Sequence, residues 1–184
     1  LCAVASDQGL FVSGHRTVFR YNFDDFSAPA TAHFDLEDVD FLALAVADNV
    51  LFALRFDNER HEVVCLDTLT LTPRFKFTVH GTDLGETSMA VCEDGLFIGQ
   101  RQYRRLDVFS LGGEYRRDVG GRFRGPRVIA HAGGRLYVAE GAYPELRDTD
   151  MMSVAEYEQS GRRIFVLTPQ GTTLQVYHMP EDLQ

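Results

Sequence analysis

Residues 127–140, RVIAHAGGRLYVAE, place an apolar run, a Gly-Gly turn and a second apolar run in succession. Two apolar runs around so short a turn are the signature of a β-hairpin, because glycine accepts the positive φ that a tight reversal demands. The same plan is written three more times, as CAVASDQGLFVSG at 2–14, ALAVADNVLFALR at 43–55 and SMAVCEDGLFIGQ at 88–100. The second runs begin at Leu10, Leu51, Leu96 and Leu136, so the copies lie 41, 45 and 40 residues apart.

Beyond each hairpin the repetition continues. A third run follows every time (VFRYNF, EVVCLD, LDVFSLGG, RIFVLTPQG), then a weaker fourth (TAHFDL, PRFKFTV, EYRRDV, TLQVYHM). The unit is four strands in roughly 40 to 45 residues, and it occurs four times. A small antiparallel sheet cannot bury both faces alone. At this period the solution open to it is radial stacking of sheets about an axis, a β-propeller, with flat faces roughly 10 Å apart.

The expected fold is therefore all-β, with about four four-stranded antiparallel blades in one unit over 1–184, near 1–40, 41–80, 85–119 and 125–179, and a loop insertion at 141–160. Phe11, Phe52, Phe97 and Tyr137 occupy one equivalent position and are expected between blades. Only DMMSVAEYEQS, 150–160, has a pattern that could hold a short helix. The repeats run in simple order, with no strand left over to latch the ends. The chain is thus either a sealed four-blade ring or an arc of a six- to eight-bladed propeller. An arc would show an apolar flank on each end blade, to be covered by remaining blades, by another copy or by a different protein.

Composition narrows the setting. Apolar residues make up 45% of the 184, and no run approaches the roughly 18 needed to span a membrane. The chain reads as soluble, intracellular and cytoplasmic, and its start inside the apolar run LCAVA is expected of a chain processed or cut from something longer. Cys2, Cys65 and Cys92 are an odd, widely spaced set within apolar runs, which points to buried reduced thiols in a reducing compartment. A net charge of −9 argues against broad nucleic-acid affinity. The charge is uneven, however: residues 101–127 hold eight Arg against three acids, a balance of +5 that leaves −14 for the rest.

RRLDVFSLGGEYRRDVGGRFRGPRVIAHAGGRLYVAE, 104–140, resembles NHL-type propeller repeats, in which an Arg-apolar-x-Val-Phe strand and a glycine turn lead through Gly-Pro into the next blade. RRIFVLTPQG, 162–171, repeats the first half of that motif. The resemblance is good over 85–179 and looser over 1–78, where Thr17 and Glu62 replace the Arg before the third strand. The Trp-Asp pair of WD repeats is absent. The resemblance implies that loops joining second to third strands, and outer strands to the next inner strand, share one face and carry function.

On that face Arg101, Arg104, Arg122, Arg124 and Arg127 fall in neighbouring loops, a set of guanidiniums suited to carboxylates or phosphates. Tyr103 and Phe123 are interleaved with them, which also suits stacking on bases. The insertion, longer than its counterparts by roughly fifteen residues, adds Tyr143, Met151, Met152 and Tyr157 as partner-binding candidates. An acidic protein segment is the expected ligand ahead of RNA, because the rest of the chain repels a polyanion.

The alternative is enzymatic. Propellers of the lactonase and lyase types, which resemble this architecture, imply a calcium or zinc ion in the axial channel, and here Glu86, Glu140, Gln100, His131 and His15 have suitable side chains. Their blade positions are not equivalent, and their spacing matches no ligand motif. HEVVC at 61–65 lacks a second His, no Ser lies in a nucleophile elbow, and GGRFRG at 120–125 lacks a strand-to-helix context. The expected function is a non-catalytic scaffold without cofactor. A metal-bearing propeller enzyme is the runner-up and an RNA-binding NHL-like propeller the third reading.

Overall fold

The computed structural model describes residues 2–14, 16–23, 29–35, 40–57, 60–81, 87–120, 123–141 and 163–179. They form four four-stranded antiparallel sheets and, among the described residues, no helix. Blade 1 is β1 (Cys2–Ser6), β2 (Gly9–Ser13), β3 (Thr17–Tyr21) and β4 (Ala32–Asp35). Blade 2 is β5 (Asp40–Ala47), β6 (Val50–Asp57), β7 (Arg60–Asp67) and β8 (Pro73–Val79). Blade 3 is β9 (Met89–Cys92), β10 (Gly95–Gln100), β11 (Arg105–Phe109) and β12 (Tyr115–Val119). Blade 4 is β13 (Pro126–Ala132), β14 (Arg135–Glu140), β15 (Arg163–Leu167) and β16 (Thr173–His178). Every sheet pairs its strands in chain order, so the all-β propeller-blade architecture expected from the repeat is the one observed.

The first hairpins show why the repeat folds locally. Asp48 and Asn49 (φ 47° and 60°) turn blade 2, and Gly133 and Gly134 (φ 55° and 67°) turn blade 4, with both central residues left-handed as type I′ requires. Blades 1 and 3 solve the turn differently. Gly9 and Gly95 enter the second strand at φ 135° and 137°, and a Cβ on Gly95 would meet the Phe109 carbonyl oxygen at 2.2 Å. Only glycine fits there.

The chain divides into two compact units, Leu1–Thr82 and Asp83–Gln184. In the first, Phe11 and Val18 of blade 1 join Phe41, Leu44, Leu51, Val64 and Leu66 of blade 2 in one core, with Cys2, Val4 and Phe34 packed against it. In the second, Ala90, Phe97, Leu106 and Val108 of blade 3 meet Leu136, Val138, Phe165 and Leu167 of blade 4. Phe11, Phe52 and Phe97 are fully buried as expected, whereas Tyr137 at the equivalent position is only half-buried.

None of the three cysteines is in a disulfide; Cys65 and Cys92 are buried and Cys2 half-buried. Burial pushes the Cys65 thiol up to about 12, which keeps it protonated and inert. Among the described residues no helix is long and apolar enough to cross a membrane.

Candidate functional site

One register position recurs at the end of the second strand in blades 2, 3 and 4. In blade 2 Arg55 lies opposite Glu62, in blade 3 Gln100 lies opposite Arg105, and in blade 4 Ala139 pairs with Ile164, so Glu140 and Arg163 come next. Side chains at such facing positions interact across the strands, and all three blades use this for charge. Arg55 donates from Nε to Glu62 Oε2 at 3.0 Å and again from its terminal nitrogen, while Lys76 Nζ reaches Oε1 at 3.0 Å. Arg163 grips Glu140 with two parallel bonds, 2.7 and 2.8 Å, and the Arg124 backbone N–H donates to the same carboxylate.

The blade 3 version is less well matched. Gln100 donates its amide to Asp107 Oδ2 at 2.9 Å, and both residues are buried. Arg105 Nε stands 2.8 Å from Asp107 Oδ1, but its N–H is not aimed at the oxygen, so this is an ion pair without an aligned hydrogen bond. Burial raises the Asp107 pKa, and the nearby Arg105 charge and the Gln100 amide only partly offset it. Burial also pushes Glu62 up, yet the bonds and charges of Arg55 and Lys76 more than reverse it and hold that carboxyl below its ordinary range.

At this end of unit 2 the described arginines of the two blades come together. Gly141 donates its N–H to the Gly125 carbonyl at 3.0 Å, lacing the segment before β13 to the end of β14. A side chain on Gly125 would touch the Arg101 stem at 3.6 Å, and one on Gly141 would meet the Arg127 Cδ at 2.5 Å, so both stems lie along this glycine seam. Arg104 closes the turn between β10 and β11 at φ 55°, donating its N–H to the Arg101 carbonyl. Tyr103 is 46% exposed, with the Arg105 guanidinium 5.2 Å from its ring centroid.

Of the predicted site residues, Arg101, Tyr103, Arg104, Arg124 and Arg127 thus stand at one end of blades 3 and 4. Phe123 does not present its ring to a ligand. It is buried in the unit 2 core, edge to face with Phe165 at 5.0 Å, where its apolar area is better placed than in solvent. Arg122, Tyr143, Met151, Met152 and Tyr157 lie outside the described residues, as do the metal candidates Glu86 and His15. Of the other metal candidates, Gln100 and Glu140 are engaged by Asp107 and Arg163, and His131 sits on β13 opposite Leu136. No group of three or more His, Cys, Asp or Glu suited to a metal occurs among the described residues.

The residues that sequence reading passed over are Arg55, Arg105, Asp107 and Arg163. Their signal is positional: Arg55 and Arg163 meet their carboxylates only once the strands are set in register, whereas Arg105 and Asp107 lie two residues apart on β11 and come beside Gln100 through that register.

No family model and no curated protein matches the chain. Solved structures do. The chain is similar to a protein of unknown function from Bacteroides caccae (8% identity, TM-score 0.66, 96% of this chain and 60% of that one). It is also similar to the glutaminyl cyclase of Myxococcus xanthus (15%, 0.63, 97% and 69%) and to the Pan2 WD40 domain of Neurospora crassa (8%, 0.68, 96% and 51%). The chain therefore spans between about half and 69% of the length of these proteins. At such identities the likeness is one of fold, and the fold is the β-propeller.

Proposed function

We propose that the chain is an NHL-like propeller module that binds a protein partner, an acidic segment, through the arginine-bearing end of blades 3 and 4. The carrying observation is the convergence at the Gly125–Gly141 seam: Arg101 and Arg127 lie along it, Arg104 and Arg124 flank it, and the exposed Tyr103 stands beside Arg105. Planar guanidiniums bind carboxylates in pairs of parallel bonds, and a tyrosine among them adds contact area at low entropic cost. Gln100 and Glu140, which could have faced a cation, are instead bonded within their own blades, which favours a scaffold over a channel metal. The reading requires no cofactor. Three cysteines outside any disulfide accord with a reducing cytoplasm.

The test is fluorescence anisotropy with a labelled Glu/Asp-rich peptide against its Gln/Asn counterpart. Wild type should bind only the acidic peptide, and the Arg124→Glu, Arg127→Glu double variant should lose about tenfold or more, a change of about 1.4 kcal/mol. Absence of acidic-peptide binding by wild type overturns the reading. Binding of polyuridine with a steep salt dependence would support the RNA function instead. Calcium or zinc retained through a chelator wash would support a metal-bearing enzyme, the solved glutaminyl cyclase being a catalytic protein on this fold.

A further inference from the structure

Unit 1 carries a concave feature of its own. At the ends of the last two strands of blade 2 a cavity of about 350 Å³ is lined by Arg60, His61, Thr78, Val79, His80 and Gly81. That is a size at which protein pockets enclose small molecules. The register explains how these residues meet. β7 and β8 pair His61 with Val79 and Glu62 with Thr78, so Arg60 at the head of β7 and His80 just past the end of β8 come opposite each other. Alternation sends Arg60, Thr78 and His80 toward one side of the sheet and His61 and Val79 toward the other, and the cavity gathers both sets where the strands end.

The lining divides into a fixed wall and a charged rim. His61 is 4% exposed, its ring lies 4.8 Å from that of Phe56, and its Nδ1 stands 3.3 Å from the Gly81 carbonyl oxygen. A carbonyl only accepts, so Nδ1 carries the hydrogen and the ring is held in one orientation. Val79, 2% exposed, continues this wall. Arg60, Thr78 and His80 are exposed and supply the rim. None of the described lining residues is acidic. The carboxylate that follows Arg60 on the same side of β7, Glu62, is already bonded to Arg55 at 3.0 Å and paired with Lys76 at 3.0 Å. It therefore does not compete for the Arg60 guanidinium.

We propose that this cavity binds a small organic anion, a carboxylate or a phosphate monoester. The Arg60 guanidinium takes the anionic oxygens through paired bonds, the Thr78 hydroxyl and the His80 ring N–H border the same position as further donors, and His61 and Val79 form the wall against its carbon skeleton. A cation would meet Arg60 with no described carboxylate in the lining to offset it, and a neutral guest would leave the guanidinium without a counter-charge. The cavity residues belong to unit 1 and the arginine-bearing end to unit 2, and the proposal does not rest on the function given above.

Isothermal titration calorimetry of the full chain with glycerol phosphate and with succinate, against glycerol as the uncharged control, tests it. One or both acids should bind saturably with a Kd of about 1 mM or tighter, and glycerol should not. The tighter of the two acids names the headgroup. Arg60→Gln, at an exposed position, should weaken binding about tenfold or more with unchanged circular dichroism. His80→Gln, also exposed, serves if that variant fails to fold. The Arg124→Glu, Arg127→Glu double variant should bind these acids as wild type does, which keeps this site distinct from the arginine-bearing end. Absence of saturable binding by either acid overturns the proposal. Binding indifferent to Arg60→Gln, or lost in the double variant, also overturns it.

Discussion

Glu62 in blade 2 and Asp107 in blade 3 are both partly or wholly buried carboxylates beside an arginine, yet their acidities move in opposite directions. The difference lies in partner geometry and depth. Glu62 receives aligned bonds from Arg55 and a second cation in Lys76, and its side chain keeps 15% exposure. Asp107 has 2% exposure, one neutral amide donor and a single arginine at 2.8 Å whose N–H is poorly aligned. Proximity of opposite charge is therefore a poor guide by itself; what counts is whether hydrogen bonds replace the water that burial removed.

The largest expected effect strikes the frame that holds the charged ends in place. Phe97→Ala, at a fully buried inter-blade ring, should cost about 3 to 5 kcal/mol in urea unfolding, and a loss below about 1 kcal/mol would mean that the core is not where the blades meet. Next comes Arg55→Ala, which leaves Glu62 with Lys76 alone and should cost about 3 kcal/mol. Near-zero loss there would erase the contrast between the two carboxylates.

A pH series separates them more finely. The pKa of Glu62 lies below its unfolded value, near 4.5, so its contribution to stability is fully present above that value and is lost as pH falls through the folded one. Glu62→Gln should flatten the acid loss of stability. That of Asp107 lies above its unfolded value, near 3.8, so the folded chain binds its proton more tightly, and stability from this group rises as pH falls through the folded value toward the unfolded one. Asp107→Asn should remove that gain and change neutral-pH stability by only about 1 kcal/mol. Urea midpoints between neutral pH and pH 3 check both signs. The smallest effect is expected from replacing residues 143–159 by a short glycine linker, a change of well under about 1 kcal/mol, because closure entropy varies slowly with loop length. Insolubility of that variant would show that the insertion covers apolar surface.

Much of this architecture was legible in the chain. The leucines at 10, 51, 96 and 136 and the turn residues before them betray the blades, since hairpin chemistry and strand alternation are local. The charged ends were harder to read. The arginine before the third strand is visible in blades 3 and 4 but absent from blade 2, where the charges are exchanged: Glu62 takes that place and Arg55 the facing one. Glu140 looked like a metal ligand because its partner Arg163 lies across an insertion. Phe123, set among arginines and glycines, looked like a loop aromatic, and its burial depends on Phe165, 42 residues further on. Register and long-range packing are properties of paired strands, and a linear pattern displays neither.

The first turns alternate along the chain. Blades 1 and 3 share one reversal, built on Gly9 and Gly95, while blades 2 and 4 share the other, built on Asp48-Asn49 and Gly133-Gly134. Matching leucines then recur after 86 residues (Leu10 to Leu96) and 85 residues (Leu51 to Leu136), a steadier interval than the single-blade spacing. The two reversals tolerate different substitutions: an added Cβ at Gly9 or Gly95 would meet the third strand's carbonyl oxygen at 2.5 or 2.2 Å, whereas at Gly133 or Gly134 it would meet nothing within 4 Å.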